Sequence, residues 1–433
     1  MKMKILLLFV FLHHLHFING RTLTEHQALL SIKSAITNGT NSYLSLWKNT
    51  THHCSWPYIT CSSSSSSVIS LNFTDLILVG ILSPDIGFLT NLQNLSIQST
   101  GFSGPLPTSL SLLTQLRHLD VYFNSFTGPI PSSLSLLTQL RYLDVSSNKL
   151  NGTLPLSVVE MSELRYLNLK YNSFYGEIPP EFGKLKKLQT LDLGWNNLSG
   201  GLPFELGSLK SLKYMDFSLC RLSGEIPKSY SLLQNLIDIN LDQNKLYGSI
   251  PDYIGDFPEL ESLSLGSNNF TGSIPQKLGT NGKLQYLDIR NNNFSGSLPL
   301  SLCKGDKLQL LYACYNLLVG PIPESLGSCN SLKYVDMGNN FLNGSIPKGL
   351  FGLPNIYVVS FYDNLLSGGI DEKFGDCVYI ASIGLSNNKL SGKLSATIGN
   401  CSNLRYLMLY KGIPNGDVFD HQIFLLTHVL IIS

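Results

Sequence analysis

The sequence predicts an α/β fold, a leucine-rich-repeat solenoid shaped as a right-handed superhelical horseshoe. We expect a parallel β-sheet on its concave face, 3₁₀ turns and loops on its convex side, and a short helical cap at the N-terminus. Glycine recurs every 24 residues from Gly80 to Gly392 without a slip. One phrase surrounds each glycine, and residues 140–155 give an example: LRYLDVSSNKLNGTLP. The alternating apolar and polar residues at the start of this phrase are typical of a short strand.

Positions within a repeat are numbered here from its first leucine, so that Leu140 is position 1. Leucines at positions 1, 4 and 6 are expected to point inward, and the residues between them outward. Asparagine fills position 9 in 11 of 14 repeats, and we expect its amide to bond to buried backbone groups. Leu76, Thr100 and Cys220 are the exceptions. Proline at position 16, also in 11 of 14 repeats, favours an extended or 3₁₀ outer arc.

The chain divides into four predicted segments. Residues 1–20 read as a secretory signal peptide, with lysines before an apolar run. Residues 21–67 form a cap that begins with an amphipathic helix over Thr24–Ile36. Fourteen repeats fill residues 68–403, and residues 404–433 are a broken repeat and a non-repeat tail. We expect the tail after Leu409 to be poorly packed and to leave the last leucine layer exposed.

Composition and motifs exclude several functions. The 433 residues carry a net charge of +1 with no basic stripe, so no nucleic-acid partner is expected. Kinase, G-x-S-x-G and H-E-x-x-H motifs are absent, which predicts that the chain is not an enzyme and needs no cofactor. No metal site is expected either, because His52, His53 and Cys54 lack further ligands at metal-binding spacing.

Six of the eight cysteines suggest pairs. Cys54 and Cys61 are most simply explained as a disulfide that holds the cap. Cys303 and Cys329 lie on the outer arc of adjacent repeats, where either a bridge or two buried thiols is open. A second outer-arc pair, Cys377 and Cys401, repeats one position in adjacent repeats, and we favour buried free thiols over a bridge there.

Secretion would expose ten N-x-S/T sequons to glycosylation. They are Asn38, Asn49, Asn72, Asn94, Asn151, Asn197, Asn269, Asn293, Asn343 and Asn400. Some arise because a repeat rich in Asn and Ser makes sequons by accident, since three of them directly follow the position 9 asparagine.

Outward positions of the predicted strands supply candidate ligand-binding residues. Aspartates recur there, with interleaved aromatic side chains of the kind that anchor peptides and with few basic residues. Aspartate at position 5 is also simply frequent in the repeat. The candidates are Asp120, Tyr122, Tyr142, Asp144, Tyr166, Lys170, Tyr171, Asp192, Trp195, Tyr214, Asp216, Asp242, Tyr286, Asp288, Arg290, Tyr334 and Asp336, with Asp238 in the same acidic strip.

Several phrases carry a resemblance to a known family. Residues 244–251, 269–279, 340–348 and 350–354 resemble the CLAVATA/Barely-Any-Meristem receptor kinases of plants, and the cap phrase at 54–57 resembles HAESA-like receptors. This resemblance implies a plasma-membrane receptor with a membrane span and a cytoplasmic kinase. It also implies a concave face that binds secreted CLE peptides, with a SERK or CIK co-receptor. The chain would be a plant ectodomain truncated before the membrane span and the kinase.

One departure from that family concerns ligand capture. The family commonly uses an Arg-x-Arg pair on one strand to hold the carboxylate of the peptide. The matching strand here reads Tyr334-Val335-Asp336, so both arginines are missing. An arginine fork is the preferred receptor for a carboxylate, so we expect the free carboxylate of a ligand to contribute little.

Three functional interpretations remain at this stage. We favour a ligand-binding ectodomain of a cell-surface receptor-like protein, which recognises a secreted peptide or a protein. The first alternative is a secreted inhibitor of wall-degrading enzymes that resembles polygalacturonase-inhibiting proteins. The second is a truncated product or decoy. Localisation would be the extracellular face of the plasma membrane for a full-length receptor, and the apoplast for this chain alone.

Overall fold

The computed structural model describes residues 22–370, 374, 377–392, 394–409 and 430–431. The chain forms two compact units, which meet in the sequence between Leu198 and Ser199. The predicted signal peptide lies outside the described residues, as does most of the tail after Leu409. In the described part, no helix has the length and apolarity needed to cross a bilayer.

The N-terminal cap is helical, as predicted. A helix spans Glu25–Ser34, and Thr24 and Gln27 form a capping box at its start. A second helix spans Thr40–Tyr43. The cap is tied to the first repeat because the Glu25 carboxylate accepts a hydrogen bond of 3.0 Å from the backbone N–H of Val68.

Buried aromatic rings fill the space beneath the cap. Trp47 and Trp56 stack with ring centroids 5.2 Å apart, and the Trp47 ring also contacts Phe73 of the first repeat. The Trp47 indole N–H donates to the backbone carbonyl of Pro57 at 3.0 Å, so the buried ring leaves no polar atom unpaired. The cap therefore covers the leucine core that the first repeat would otherwise expose.

Each repeat contributes one strand to a parallel sheet, here called the front sheet, which carries positions 3–5. Strands pair one to one at a spacing of 24 residues, for example Tyr142 with Tyr166 and Asp144 with Asn168. The cap strand Ile59–Cys61 runs antiparallel to the first of them. In the first unit the strands are Val68–Asn72, Asn94–Ser96, His118–Asp120, Tyr142–Asp144, Tyr166–Asn168 and Thr190–Asp192. In the second unit they are Tyr214–Asp216, Asp238–Asn240, Ser262–Ser264, Tyr286–Asp288, Leu310–Tyr312, Tyr334–Asp336, Val358–Ser360, Ser382–Gly384, Tyr406–Met408 and Leu430–Ile431.

A second set of short strands, here called the second sheet, carries positions 10–14 of the repeats. In the first unit these strands are Val79–Ile81, Phe102–Pro105, Ser125–Gly128, Lys149–Thr153 and Ser173–Glu177, followed by Asn197–Ser199 at its end, and the cap strand Ile36–Asn38 pairs antiparallel with the first of them. In the second unit they are Ser223–Gly224, Lys245–Ser249, Asn269–Ser273, Asn293–Gly296, Leu317–Pro321 and Phe341–Asn343, with a separate pair formed by Ser367–Gly369 and Lys389–Ser391.

Short 3₁₀ helices complete most repeats, as the proline at position 16 predicts. In the first unit they span Pro84–Phe88, Thr108–Leu112, Ser132–Leu136, Leu156–Glu160 and Pro180–Lys184, and the cap has a further one at His53–Ser55. In the second unit they span Phe204–Ser208, Lys228–Leu232, Asp252–Asp256, Glu324–Ser328, Leu350–Gly352 and Ala396–Asn400. Pro131 shows the cause, because its φ of −61° and ψ of 129° place it as the residue that precedes the helix.

The core consists of the inward positions of each repeat. Leu140, Leu143 and Val145 are fully buried, as is Leu150 in the second sheet. Aromatic rings stack in register between repeats, and Phe270 and Phe294 lie 6.0 Å apart. The predicted inward pattern at positions 1, 4 and 6 is confirmed.

The position 9 asparagines form a ladder of buried hydrogen bonds. The Asn292 amide donates to the carbonyls of Leu265, Ile289 and Arg290 at 3.0–3.3 Å, and its carbonyl accepts from the N–H of Phe270 at 2.9 Å. Each such side chain thus pairs backbone groups of its own repeat and of the preceding one. Because those groups lie in the core, they would otherwise be left without partners.

Three disulfides join the paired cysteines. Cys54 is bonded to Cys61, and Cys303 to Cys329. Cys377 is bonded to Cys401, which differs from our expectation of free thiols. The shared repeat position brings their Cα atoms to 4.9 Å, within the range that a disulfide needs. Cys220 and Cys314 are free and buried.

The described part of the tail also differs from expectation. Leu430–Ile431 pairs in parallel with the last repeat strand, Tyr406 with Leu430 and Leu407 with Ile431. The tail therefore contributes a two-residue strand beside the last repeat strand, whereas we expected no regular structure there. The prediction of a poorly packed tail otherwise falls on residues outside the described part.

Removing one asparagine of the ladder should lower the stability of the protein markedly. Asn292→Ala should lower the free energy of unfolding by about 2–4 kcal/mol, because one acceptor and three donor contacts vanish from a buried site. Urea denaturation followed by circular dichroism measures the change. Asn355→Ala is the control, since this exposed asparagine donates a single hydrogen bond, and it should cost less than about 1 kcal/mol. An equal cost for both variants would contradict the ladder's role.

The cap disulfide predicts a second loss of stability. The double variant Cys54→Ser/Cys61→Ser should lower the free energy of unfolding of the cap by about 2–3 kcal/mol, through the entropy that the short loop regains in the unfolded chain. Limited proteolysis should then cut first within residues 22–67. The control variant Ser63→Ala/Ser65→Ala changes exposed residues of the same segment and should leave the cleavage pattern unchanged.

Candidate ligand-binding face

The backbone of every repeat turns sharply where the front strand ends. Position 8 adopts a left-handed conformation throughout, with φ of 52° at Phe123, 52° at Tyr171 and 54° at Trp195. This conformation is unfavourable for bulky side chains and is better tolerated by Asn or Asp, which occupy position 8 at Asn291 and Asp363. The repeat geometry thus holds large rings in a conformation that they would not adopt alone.

In the first unit these rings form an exposed group, here called the aromatic ledge: Tyr122, Phe123, Tyr171 and Trp195. Tyr171 and Trp195 stack with ring centroids 4.7 Å apart, and both are more than 40% exposed. The Tyr122 ring lies 5.8 Å from that of Phe123, which is 62% exposed. Phe123 was not among the sequence candidates. It occupies position 8, as Tyr171 and Trp195 do in other repeats, and this shared position is the signal that could have identified it.

The other two candidate tyrosines of this unit, Tyr142 and Tyr166, are less available. Tyr142 lies between His118 and Tyr166 in a stack with centroids 4.3 Å apart on either side. Burial raises the pKa of Tyr142 and Tyr166, and it lowers the pKa of His118. Because both faces of the Tyr142 ring are covered, this ring offers only its edge to a ligand.

The aspartates of position 5 bond to their own backbone. Asp120 accepts the N–H of Tyr122 at 3.0 Å, Asp192 that of Gly194 at 3.1 Å, and Asp336 that of Gly338 at 3.1 Å. Asp120 and Asp144 are only 6% and 5% exposed. The position 5 carboxylates therefore stabilise the turn after each strand, and the buried ones present little charge to a ligand.

Burial changes the ionisation of Asp120. It raises the pKa of this carboxyl to about 6, with the charge of Asp144 acting in the same direction and the hydrogen bond from Tyr122 opposing it. The carboxyl therefore loses part of its charge in mildly acid solution.

Lys170 is the basic candidate of the first unit. Its ammonium lies 3.6 Å from a carboxylate oxygen of Asp192 and 5.7 Å from the centre of the Tyr171 ring. Lys170 and Asp192 are both half-buried, so this pair sits at the base of the aromatic ledge.

In the second unit, the candidates divide into exposed and buried residues. Tyr214 is 45% exposed, whereas Tyr286 and Tyr334 are half-buried. Asp216, Asp238 and Asp336 are half-buried as well.

Two buried aspartates of the second unit converge beside Gly266. Their oxygens, one each from Asp242 and Asp288, lie 2.6 Å and 2.9 Å from the point where a Cβ of Gly266 would stand. Arg290 neutralises Asp288 at 3.1 Å and lies over the Tyr312 ring. Burial raises the pKa of Asp288 to about 6, although Arg290 opposes the shift. Because Gly266 has no Cβ, the two carboxylates can occupy this space.

The ten sequon asparagines are all exposed. Asn72 and Asn94 lie on the first two front strands, while Asn151, Asn197, Asn269, Asn293 and Asn343 lie on the second sheet. From His118 onward, the described front strands carry no sequon, so their outward side chains stay free of attached sugar.

Within the described part of the chain, two groups of residues place potential metal-ligand atoms within 4.8 Å of one another. They are His52 with His53 and Cys54, and Cys303 with Asp306 and Cys329. The cysteine sulfurs of both groups are engaged in disulfides, which leaves too few donors for a metal ion.

The family comparisons match this architecture. Residues 23–62 match the leucine rich repeat N-terminal domain. The Leucine Rich Repeat family matches residues 115–137, 139–161, 163–185, 187–209, 259–281, 283–304 and 331–353. The chain is therefore a leucine-rich-repeat solenoid with a matching N-terminal domain. It is related to plant receptor-like kinases through their ectodomains, and it is the repeat region that carries this relationship.

Individual relatives support that statement. The LRR receptor-like serine/threonine-protein kinase EFR of Arabidopsis thaliana is 35% identical over 85 residues, which are 19% of this chain and 8% of that protein. The plant peptide hormone receptor RGFR1 in complex with RGF2 is 30% identical with a TM-score of 0.72, covering 81% of this chain and 58% of that one. The Arabidopsis receptor kinase HAESA, in complex with the peptide hormone IDA and the co-receptor SERK1, is 27% identical with a TM-score of 0.68, covering 94% and 81%.

The raised pKa of Asp120 predicts a pH-dependent effect of Asp120→Asn. Because this pKa lies above the value of about 3.9 in an unfolded chain, the folded protein loses stability as the pH rises from about 4 to 6. The asparagine keeps the acceptor for Tyr122 but has no charge to desolvate. The variant should therefore gain stability over the natural protein between pH 4 and pH 7.5, as thermal unfolding at several pH values would measure.

Asp120→Ala separates the charge from the hydrogen bond. It removes both, so it should be less stable than Asp120→Asn at every pH. Parallel stability curves for Asp120→Asn and the natural protein across this pH range would contradict the assigned ionisation.

Proposed function

We propose that the chain is the ligand-binding ectodomain region of a plant cell-surface receptor and that its front sheet binds an extended secreted peptide. The observation that carries this proposal is the aromatic ledge, in which exposed rings follow the front strands, with Tyr171 and Trp195 stacked at the same position of neighbouring repeats. Tyrosine and tryptophan anchor ligands well because they bury a large area at little cost in side-chain entropy. The ligands of RGFR1 and HAESA, which are peptide hormones, favour the same class.

Access to the front sheet agrees with this proposal. Sugars attached at Asn72 and Asn94 would cover the first two front strands, whereas the outward side chains beyond His118 carry no sequon. A peptide would then lie on the strands after Asn94. A partner of the SERK or CIK type is proposed on the same grounds, since the HAESA complex contains the co-receptor SERK1.

The negative charge of the front sheet in the second unit favours a basic peptide. Most of this charge belongs to half-buried carboxylates. Asp216, Asp238 and Asp336 line the front sheet of the second unit, where Arg290 is already paired with Asp288. A CLE-like sequence is one member of this ligand class. Since the strand Tyr334–Asp336 has no arginine to hold a carboxylate, the terminal carboxylate of the peptide should add little to affinity.

A direct binding experiment tests this proposal. The secreted chain is titrated with a basic CLE-type dodecapeptide, and with the same peptide amidated at its C-terminus, at 50 and 200 mM salt. We expect amidation to change affinity less than twofold and the higher salt to weaken it, because the attraction is electrostatic. Trp195→Ala should weaken binding at least tenfold, since it removes an exposed anchor of the ledge.

Phe204→Ala is the matched control. Phe204 is 67% exposed but lies in a 3₁₀ helix of the second unit, so its loss should leave affinity unchanged. Equal affinities of the natural protein and Trp195→Ala would contradict the ledge as the anchor. Inhibition of a polygalacturonase by the chain, without peptide binding, would support the inhibitor interpretation instead.

A further inference from the structure

The second sheet of the second unit exposes large apolar side chains beside sequons. Phe341 is 50% exposed and lies two residues before Asn343 on the same strand, Phe341–Asn343. Residues i and i+2 of a strand point to the same face, about 6.6 Å apart. The Phe341 ring and the Asn343 amide therefore stand side by side on the outer surface.

A second pair has a different geometry but the same proximity. Tyr247 is 50% exposed, and its strand pairs with the next so that Tyr247 lies directly opposite Asn269. Adjacent strands are about 4.8 Å apart, so this ring also borders a sequon asparagine. One sequon thus has an aromatic neighbour along its strand, and the other has one across the sheet.

The apolar surface at the first of these pairs is larger than one ring. Val319, 44% exposed, lies opposite Phe341, and Leu317, 46% exposed, lies on the same face of the Val319 strand. Pro321 of that strand lies opposite Asn343. A contiguous apolar patch of this kind on a soluble surface needs a covering partner.

Both asparagine amides are available for modification. Asn269 and Asn343 are exposed, and their side chains form no hydrogen bond with any described residue. The ladder asparagines beside them, Asn268 and Asn340, are buried and fully bonded, which excludes them as attachment points.

We propose that N-linked glycans on Asn269 and Asn343 lie against the second sheet, with their first N-acetylglucosamine packed on Tyr247 and Phe341. The glycan of this chain is thereby the covering partner of the apolar patch. This inference rests on the proposed extracellular location, because that location requires passage through the secretory pathway. The glycans would then cover the second sheet, and ligand recognition would take place on the front sheet.

The attachment is a group transfer from a lipid-pyrophosphate-linked oligosaccharide. The asparagine amide nitrogen forms a bond to C1 of the first N-acetylglucosamine, while the bond from C1 to the pyrophosphate oxygen breaks. The lipid pyrophosphate leaves with that electron pair, and the amide loses one proton to the transferase. The product keeps one amide N–H and a single N–C1 bond to the sugar.

The packing follows from the surface chemistry of the sugar. The C–H groups of one face of N-acetylglucosamine are apolar, and an aromatic ring that they cover loses contact with water. The hydroxyl groups of the other face stay solvated, which keeps the surface soluble. Asn293 lies opposite Thr271, and the residue two positions before it is Asn291, so neither of the positions that carry a ring beside Asn269 or Asn343 carries one here.

The rate of enzymatic glycan release from the folded protein tests the packing. The chain is produced in a secreting plant cell line, its occupancy is measured by peptide mass spectrometry, and release by peptide-N-glycosidase is followed site by site without denaturation. We expect the sugars at Asn269 and Asn343 to be released at least threefold more slowly than that at Asn293, the internal control. Tyr247→Ser should accelerate release at Asn269 alone, and Phe341→Ser at Asn343 alone.

Removal of the sugar gives a second readout. Asn343→Gln should raise the fluorescence of a dye that binds apolar surface, and adding Phe341→Ser should reverse much of that rise, because the patch itself is then smaller. Empty sequons at Asn269 and Asn343, or release rates that the serine variants leave unchanged, would overturn the proposal. Neither outcome affects peptide affinity on the front sheet, so failure here is distinguishable from failure of the proposed function.

Discussion

The hydrogen-bond ladder of position 9 asparagines is the constraint on which the rest of the molecule depends. A strand of only three residues, such as Tyr286–Asp288, cannot stabilise itself, and it persists because Asn292 joins its repeat to the preceding one. These bonds join adjacent repeats, whose equivalent positions are 24 residues apart. In the eleven repeats that have this asparagine, the outward side chains of the front sheet therefore depend on an amide that makes its hydrogen bonds within the scaffold.

This dependence explains why much of the fold could be predicted from the sequence. A strict period determines which leucines face inward and which strands pair, because the register of a parallel sheet leaves no alternative once one repeat is placed. The cap helix could likewise be read from Thr24 and the apolar spacing after it, and the 3₁₀ arc from the prolines at position 16.

The exposure of the candidate ligand-binding residues was harder to predict than the fold. Sequence alone treats Asp120 and Asp336 as equivalent, yet one is buried and the other half-exposed, because the side chains of adjacent strands decide how much water reaches each carboxylate. It also misses Phe123, which is exposed at a position where the backbone is left-handed. The bond between Cys377 and Cys401 was missed for another reason, since their equivalent positions fix a short distance but not the choice between thiols and a disulfide.

The one-to-one pairing of the front strands has a metric consequence for anything that lies across them. Equivalent side chains of neighbouring repeats are spaced by the strand separation of about 4.8 Å, whereas an extended peptide advances about 3.4 Å per residue. The two spacings coincide about once every five repeats and seven peptide residues. An extended ligand that crosses the strands would therefore align with equivalent side chains only about once every five repeats. Its anchor residues should accordingly lie about seven residues apart.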